Sequence, residues 1–210
     1  MPSDYQAEWD AKYQGGYQLG EAPNSFLVSQ SDRLRPGWKA LAVADGEGRN
    51  GIWLAEQGLE VLSVDVSPVA QSRARQRAAQ RGVTVTFKTV DLLTTPFPPD
   101  QFDVVVAIFI QFVGSPARDH LFANLKQTLK PGGLFLVEGY RTEQLQYRTG
   151  GPPHLENLYT EAWLRETFAD FELLHLASYD AVLTEGTAHQ GMSALIDLVA
   201  RKPHLPGRAV

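Results

Sequence analysis

A glycine-rich turn is the part of the sequence whose residue types and spacing most clearly permit chemistry. Gly46, Gly48 and Gly51 form the pattern Gly-x-Gly-x-x-Gly between an apolar run, residues 39–44, and a helical pattern, residues 52–58. Glycines there allow a tight turn and a close approach of the backbone to a ligand, and the N–H groups that begin the helix attract an anionic group. An ordinary strand-to-helix turn would use the same residues, so the pattern alone leaves both explanations open.

Two aspartates at predicted strand ends extend this pattern. Asp65 ends the second apolar run, 19 residues after Gly46, where a carboxylate can accept both hydroxyls of an adenosine ribose. Asp65 could instead cap the helix that begins at Ser67-Pro68, but a cap does not explain the spacing. Asp91 ends the third run and could accept the amino group of adenine, or it could be an exposed strand-end residue. The turn and Asp65 together indicate a nucleoside-containing ligand.

Short apolar runs alternate with helical segments from residue 39 onward, which is typical of an α/β fold with a parallel sheet. The predicted helices are residues 52–58, 68–81, 115–129 and 160–169, and a turn is predicted at Lys130-Pro131-Gly132-Gly133. The last two strands are close enough in sequence to pair antiparallel. The predicted strands are residues 39–44, 60–65, 83–88, 102–109, 134–138, 171–178 and 194–200.

The composition is that of an ordinary folded domain and excludes several classes of function. The chain has 210 residues, 43% of them apolar and 20% charged, and a formal net charge of −5. The length favours a single domain, residues 1–210, and the acidic balance argues against nucleic-acid binding. The absence of cysteine excludes a disulfide framework, a thiolate nucleophile and a cysteine-ligated zinc site. The histidines and carboxylates lack metal-ligand spacing, so no metal is predicted.

No segment is predicted to contact a membrane. The longest apolar run, residues 104–110, has seven residues, which is too short to span a bilayer. The first residues include Asp4, Glu8 and Asp10 and lack the apolar stretch of a signal peptide. We therefore expect a cytoplasmic protein.

The successive motifs resemble those of class I S-adenosylmethionine-dependent methyltransferases, and the resemblance covers residues 39–200. It implies a Rossmann-like fold: a seven-stranded, mostly parallel sheet with helices on both faces and an antiparallel last strand. Within that superfamily the chain is similar to small bacterial tellurite-resistance (TehB-like) methyltransferases. The superfamily motifs are residues 40–58, Asp65, Asp91-Leu92, 102–112 and 129–134; the subgroup motifs are Trp9, Tyr13, Gly20, Pro23-Asn24, Phe26-Leu27, 138–140, 144–145, 149–152 and 158–160.

The resemblance implies S-adenosyl-L-methionine as cofactor and S-adenosyl-L-homocysteine as product. The methionine part would lie over Ala44, Gly46 and Gly48 and face the end of the fourth strand, the ribose would bind Asp65, and Asp91-Leu92 would frame the adenine. The full set of implied cofactor residues is Ala44, Asp45, Gly46, Gly48, Asn50, Asp65, Val66, Asp91, Leu92, Ala107 and Ile108.

The sequence departs from the family pattern in the first strand. The acidic residue of the family falls on Ala42, and its first motif glycine falls on Ala44. Asp45 is the nearest carboxylate that could contact the ammonium group of the cofactor in its place.

The same resemblance suggests a small-molecule acceptor, such as the soft anions tellurite, selenite or a thiolate. A sulfonium methyl is already activated, so transfer needs mainly alignment and the exclusion of water, and no catalytic residue is assigned. Arg141 could hold an anionic acceptor, or it could form a surface ion pair. The acceptor pocket is expected to include Trp9, Tyr13, Tyr17, Phe112, Tyr140, Arg141 and His189.

Two other functions use the same residues. An NAD-dependent oxidoreductase would need the glycine turn and Asp65, but the chain leaves little room for a substrate domain and shows no obvious Tyr-x-x-x-Lys pair. A non-catalytic nucleotide-binding module is the second alternative, because Ala42 and Ala44 depart from the enzyme pattern. The oligomeric state is not predicted.

The N-terminal segment, residues 1–30, precedes the first strand and is predicted to be a helical lid. Trp9, Tyr13 and Tyr17 fall on one helical face, and Gly15-Gly16 permits a hinge. A helix docked permanently on the core would show the same aromatic stripe.

Overall fold

The sheet combines parallel strands with an antiparallel last strand, as predicted. The computed structural model describes residues 4–15, 20–186 and 189–204, and within them seven strands form one sheet in the order β3-β2-β1-β4-β5-β7-β6. Strands β1 to β5 run parallel, and β7 pairs antiparallel with both β5 and β6. This confirms the seven-stranded mixed sheet. The strands are β1 (Lys39–Val43), β2 (Glu60–Asp65), β3 (Thr86–Thr89), β4 (Phe102–Ile108), β5 (Leu129–Tyr140), β6 (Glu172–Glu185) and β7 (His189–Arg201).

Local sequence signals explain where the helices begin. The Ser67 side chain accepts the N–H of Ala70 at 3.1 Å, and Pro68 occupies the first helical turn of α4. The Thr160 side chain caps α7 in the same way by accepting the N–H of Trp163. The helices are α1 (Asp4–Gln14), α2 (Ser25–Ser29), α3 (Arg49–Glu56), α4 (Pro68–Gln80), α5 (Ala117–Gln127), α6 (Gln144–Tyr147) and α7 (Glu161–Thr167).

Apolar side chains cover both faces of the central strands. One face packs Leu41, Val105 and Phe135 against Phe122 of α5 and Phe168, the residue that follows α7. The other face packs Ala40, Val104 and Leu136 against Phe26 and Leu27 of α2 and Leu54 of α3. Because successive strand residues point to opposite faces, a strand covered by helices on both sides is apolar throughout.

Two features of the last strands differ from the sequence prediction. The segment predicted as a turn, Lys130 to Gly133, lies within β5, because the Gly132 N–H donates to the Lys202 carbonyl at 2.8 Å and the Lys202 N–H donates to the Gly133 carbonyl at 2.9 Å. Strands β6 and β7 are longer than predicted. Their pairing continues past Tyr140, the last β5 residue paired with β7, as far as Glu185 and His189.

The N-terminal helix α1 packs against α4. The Asp10 carboxylate accepts the Ser67 hydroxyl and, at 3.5 Å, the Val69 N–H, so it supplements the cap of α4. This contact places α1 over the edge of the sheet at which β1, β2, β4 and β5 end. No helix in the described ranges is long and apolar enough to cross a membrane.

Candidate functional site

A cavity of about 600 Å³ lies at the carboxyl edge of the parallel strands. Its size is in the range of small-molecule sites, and this edge is where open α/β sheets bind ligands. The cavity is lined by strand-end residues, by α1 and by the segment after β5. The predicted residues in its wall are Ala44, Asp45, Asn50, Asp65, Val66, Leu92 and Ile108 from the cofactor set, and Trp9, Tyr13, Phe112, Tyr140 and His189 from the acceptor set.

Other predicted residues lie elsewhere. Tyr17 is outside the described residues, and the predicted residues that do not line the cavity are Gly46, Gly48, Asp91, Ala107 and Arg141. Ala107 faces the α5 side of the sheet, since side chains alternate along β4 and its neighbours Val106 and Ile108 take the cavity side.

The turn glycines position the backbone. Gly46 and Gly48 have φ of +55° and +83°, which L residues rarely adopt. A Cβ on Gly48 would lie 2.9 Å from the Cβ of Ala74, so this glycine lets the turn pack closely on α4. Ala44 has a φ of +47° at the position where the family has glycine, so an alanine occupies a conformation that favours glycine.

Asp65 connects the turn to the end of β2. Its Oδ2 accepts the Gly46 N–H and its Oδ1 accepts the Ser67 N–H, each at 2.8 Å. Burial is the main reason why the pKa of this carboxyl rises to about 6. A carboxylate has about four lone-pair positions, so its bonds to Gly46 and Ser67 do not exhaust its capacity to accept hydrogen bonds.

The Asp45 carboxylate lies on the inner side of the turn. It accepts the Ser63 hydroxyl at 2.7 Å and the Gly51 N–H at 3.1 Å, and burial raises its pKa to about 7. A Cβ on Gly51 would lie 2.4 Å from Asp45 Oδ2, which explains why glycine occupies that position. Asp45 also lines the cavity, but hydrogen bonds within the turn already hold its carboxylate.

Asp91 also forms a hydrogen bond within its own loop. Its Oδ1 accepts the N–H of Leu93 at 2.9 Å, and its neighbours Val90 and Leu92 provide the apolar wall of the cavity instead.

An aromatic cluster forms one end of the cavity, where β5 ends and β7 begins. The Tyr140 hydroxyl lies 2.6 Å from His189 Nδ1, and the Phe109 ring stacks on His189 with centroids 4.3 Å apart. Phe109 has a φ of +55°, an uncommon conformation at the end of β4. Burial lowers the pKa of His189 to about 3, so its imidazole is neutral near pH 7.

Helix α1 supplies a second aromatic wall. The Tyr5 and Phe112 rings lie 5.4 Å apart, and the Trp9 and Tyr13 rings lie 6.0 Å apart. Tyr13 is buried, and Lys12 lies over the Trp9 ring at 4.3 Å. The aromatic stripe therefore faces inward, as both the lid and the docked-helix hypotheses require.

The cationic side chains Lys12, Arg49 and Arg141, in or near the cavity, are ion-paired. Arg141 bonds the Asp180 carboxylate and lies 3.5 Å from Glu143. It therefore forms a surface ion pair, which was the alternative to holding an anionic acceptor. Arg49 lines the cavity and pairs with Glu185 at 2.7 Å. No group of three or more metal-ligating side chains is arranged around a common point in the described part of the chain.

Several wall residues were missed by the sequence analysis. Arg49 was counted only as part of the glycine turn, and within residues 150–154 only residues 150–152 were noted, as part of a subgroup motif. The isolated bridge between Gly150 and His189 brings that segment to the cavity, and a Cβ on Gly151 would lie 2.9 Å from the Tyr140 ring. Two consecutive glycines followed by two prolines were the available signal of a close approach.

Comparisons with known proteins match the middle of the chain to a protein family. Residues 40–133 match the family model described as a methyltransferase domain. An uncharacterized protein of Mycobacterium tuberculosis is 33% identical over 125 residues, which are 58% of this chain and 44% of that protein. Phosphoethanolamine N-methyltransferase 1 of Arabidopsis thaliana is 33% identical over 130 residues, 60% of this chain and 26% of the relative. The chain thus spans less than half the length of these relatives.

Solved structures extend the likeness to nearly the whole chain. A protein described under the conversion of a disulfide bond into a thioacetal group during echinomycin biosynthesis has a TM-score of 0.77 at 20% identity, covering 94% of this chain and 93% of that one. TehB from Haemophilus influenzae has a TM-score of 0.73 at 18% identity, covering 91% and 66%. Residues 40–133 therefore match the methyltransferase domain family, and the chain has the Rossmann-like fold of solved S-adenosylmethionine-dependent methyltransferases.

Proposed function

We propose that this protein transfers the methyl group of S-adenosyl-L-methionine to a small-molecule acceptor. The observation that carries the proposal is the Asp65 carboxylate, which is only 5% exposed, lies in the cavity wall at the end of β2 and bonds the glycine turn. A carboxylate at this strand end of an open α/β sheet is placed to bind the ribose hydroxyls of a nucleoside cofactor.

The residues present fit this cofactor. Asp65 would hold the ribose, Val66 and Leu92 would contact the adenine, and Ala44, Asn50 and Ile108 would surround the methionine part. The bound cofactor would supply an activated methyl group. Gly46 and Gly48 would act by shaping the turn, Asp91 by holding its loop, and Asp45 by holding the start of α3, since their polar groups bond within the protein.

The chain contributes to the reaction by orienting both molecules and excluding water. The core, residues 39–200, would hold the cofactor, and α1 would cover it from the side of Tyr5, Trp9 and Tyr13. The contact of Asp10 with Ser67 would hold this lid next to the ribose end of the cavity. Closure of such a lid protects a reactive group from solvent.

The acceptor would occupy the end of the cavity that Phe112, Tyr140 and His189 line. The relative from Arabidopsis thaliana is named as an N-methyltransferase and covers only part of this chain, so its name supports methyl transfer and does not select the acceptor. The soft anions tellurite, selenite and a thiolate are the acceptors suggested by the resemblance to TehB-like proteins.

Calorimetry with S-adenosylmethionine, S-adenosylhomocysteine and NAD tests the proposal. We expect both sulfur-containing ligands to bind and to raise the melting temperature, and NAD to do neither. Binding of NAD alone would refute the proposal in favour of an oxidoreductase. If the cofactor binds, a screen of acceptors with labelled S-adenosylmethionine should release S-adenosylhomocysteine; binding without any turnover would favour a non-catalytic module.

A further inference from the structure

Two neighbouring side chains at the start of α3 present hydrogen-bond donors to the cavity. Arg49 and Asn50 both line it, and the Arg49 side chain is only 4% exposed. Among the described residues, Arg49 contacts the Glu185 carboxylate at 2.7 Å and the Ala22 carbonyl at 3.5 Å. A guanidinium has five N–H donors, so most of them have no acceptor in this part of the protein. Buried donors without protein acceptors indicate that a ligand accepts their hydrogen bonds.

The Asn50 carboxamide has a fixed orientation. Its Oδ1 accepts the backbone N–H of Asn24 at 2.9 Å. A backbone N–H only donates, so the oxygen faces Asn24 and Nδ2 points away from it. Within the described ranges Nδ2 donates to no protein acceptor, although Asn50 is only 7% exposed. Asn50 therefore adds a second donor beside Arg49.

Asn24 and Glu185 hold these two side chains in place. Asn24 is fully buried, and its Nδ2 donates to Glu138 and, at 3.3 Å, to Glu185 Oε1. Because its backbone N–H bonds Asn50, this one residue contacts both Asn50 and the partner of Arg49. The donors are thus oriented before a ligand binds, which lowers the entropy cost of binding.

A carboxylate is the ligand group that these donors fit. The fork of N–H groups in a guanidinium matches the two oxygens of a carboxylate, and the start of a helix favours negative charge. The Asp45 carboxylate in the same wall does not use these donors, because it accepts the Ser63 hydroxyl and the Gly51 N–H. Arg49 has enough donors to bind a second carboxylate without leaving Glu185, so no buried charge loses its partner.

We propose that Arg49 and Asn50 form a subsite for the α-carboxylate in the methionine part of the cofactor. Asn24 and Glu185 are positioning residues, because they act on the ligand through that pair. The inference rests on the proposed function and deepens it. Strands β1 and β2 are neighbours, so a ligand that extends from Asp65 along this edge of the sheet next meets the glycine turn and the start of α3. The subsite would select the cofactor against nucleosides that lack the carboxylate.

Two ligands that differ only in this group test the subsite: S-adenosylhomocysteine and its decarboxylated analogue, which keeps the amine. Calorimetry on the wild-type protein measures both Kd values, so turnover is not required. We expect S-adenosylhomocysteine to bind about 10- to 150-fold more tightly, which is the effect of hydrogen bonds to a charged group. Equal or tighter binding of the analogue would overturn the inference. Failure of the wild-type protein to bind either ligand would instead overturn the proposed function, and this inference with it.

The double variant Arg49→Gln/Glu185→Gln tests the ion pair. It removes both charges together, so no buried carboxylate is left unpaired. It should raise the Kd of S-adenosylhomocysteine at least about tenfold and change that of the analogue less than about twofold. A merely structural role would weaken both ligands equally, and that result would refute the role of Arg49. The matched control is Arg81→Gln/Glu56→Gln, which removes an ion pair at the other end of α3, outside the cavity, and should change neither Kd.

The variant Asn50→Asp tests the second donor and keeps the shape of the side chain. The aspartate still accepts the Asn24 N–H, but it presents an oxygen in place of Nδ2 and repels a carboxylate. The preference for S-adenosylhomocysteine over the analogue should fall about tenfold or more. An unchanged preference in the folded variant would refute the role of Asn50. If the double variant fails to fold, Asn50→Asp and the wild-type comparison still decide the inference.

A carboxylate of the acceptor is the other possible occupant, and benzoate is the probe for it. Benzoate is titrated into wild-type protein and into Arg49→Gln/Glu185→Gln, each saturated with S-adenosylhomocysteine. If the cofactor already occupies the subsite, the Kd of benzoate should be the same in both proteins. Benzoate binding that is lost in the double variant would assign the subsite to the acceptor and overturn the inference.

Discussion

The substitution Asp65→Asn tests the proposed cofactor site most directly. It preserves the shape of the side chain, removes the negative charge and replaces one acceptor oxygen with an NH2 group. The wild-type oxygens accept the N–H groups of Gly46 and Ser67, each at 2.8 Å, so the amide can satisfy only one of them. The variant should therefore lose turn stability as well as the charged acceptor for the ribose hydroxyls.

The expected loss of affinity follows from the strength of hydrogen bonds to a charged group, about 1.5 to 3 kcal/mol. This corresponds to a rise of about 10- to 150-fold in the Kd of S-adenosylhomocysteine. The pH dependence of the Kd gives a second expected change in affinity. A carboxyl with a pKa of about 6 is about 90% ionised at pH 7 and about 10% ionised at pH 5. If only the ionised form binds, the wild-type Kd should rise about tenfold from pH 7 to pH 5 through Asp65, and Asp65→Asn should lack this component.

Isothermal titration calorimetry at pH 5, 6 and 7 measures both effects, and thermal unfolding of the free proteins measures the loss of turn stability. Asp91→Asn is the matched control, since Asp91 lies at the same sheet edge and does not line the cavity. A lower melting temperature in Asp65→Asn with an unchanged Kd and an unchanged pH profile would refute the reasoning. It would show that the carboxylate only holds the turn.

Three further predictions concern the turn, the buried carboxyl groups and α1. Gly51→Ala should lower the free energy of unfolding by about 1 to 3 kcal/mol in urea titrations, because its Cβ would lie 2.4 Å from Asp45 Oδ2; an unchanged midpoint would contradict the close approach. Between pH 6.5 and 8 the free energy of unfolding of the unliganded protein should fall as pH rises, since burial raises the pKa of Asp45 to about 7 and also raises those of Glu138 and Asp197, so the native state binds more protons than the unfolded state. The lowered pKa of His189 affects the free energy of unfolding mainly below pH 6.5. Asp45→Asn should make the free energy of unfolding less dependent on pH between 6.5 and 8. A wild-type free energy of unfolding that does not change over this range would argue against the raised pKa values. Deleting residues 1–20 should leave a folded protein whose Kd for S-adenosylhomocysteine is about tenfold higher, because α1 supplies one wall of the cavity, whereas aggregation would show that α1 belongs to the core. The ligand should also protect residues 5–14 from limited proteolysis, which a permanently docked helix would not require.

The sequence determined the sheet and the edge at which the candidate site lies, because both depend on neighbours along the chain. Alternating apolar runs and helical segments define parallel strands, and parallel strands bring their carboxyl ends to one edge. Asp65 and the glycine turn each adjoin such an end, so their meeting at 2.8 Å follows from the order of elements. The cap at Ser67 is similarly local.

Only the tertiary structure decided which side chains face the cavity and which charges are paired. Strand β4 is apolar from Val104 to Ile108, so the sequence shows no alternation that would distinguish Ala107, on the α5 side, from Ile108, in the cavity wall. Tyr140 and His189 meet across 49 residues because β6 and β7 extend past the end of β5, and Arg141 meets Asp180 across 39 residues for a related reason. Strand length and register arise from the pairing of distant segments, and the periodicity of a single segment does not encode that pairing.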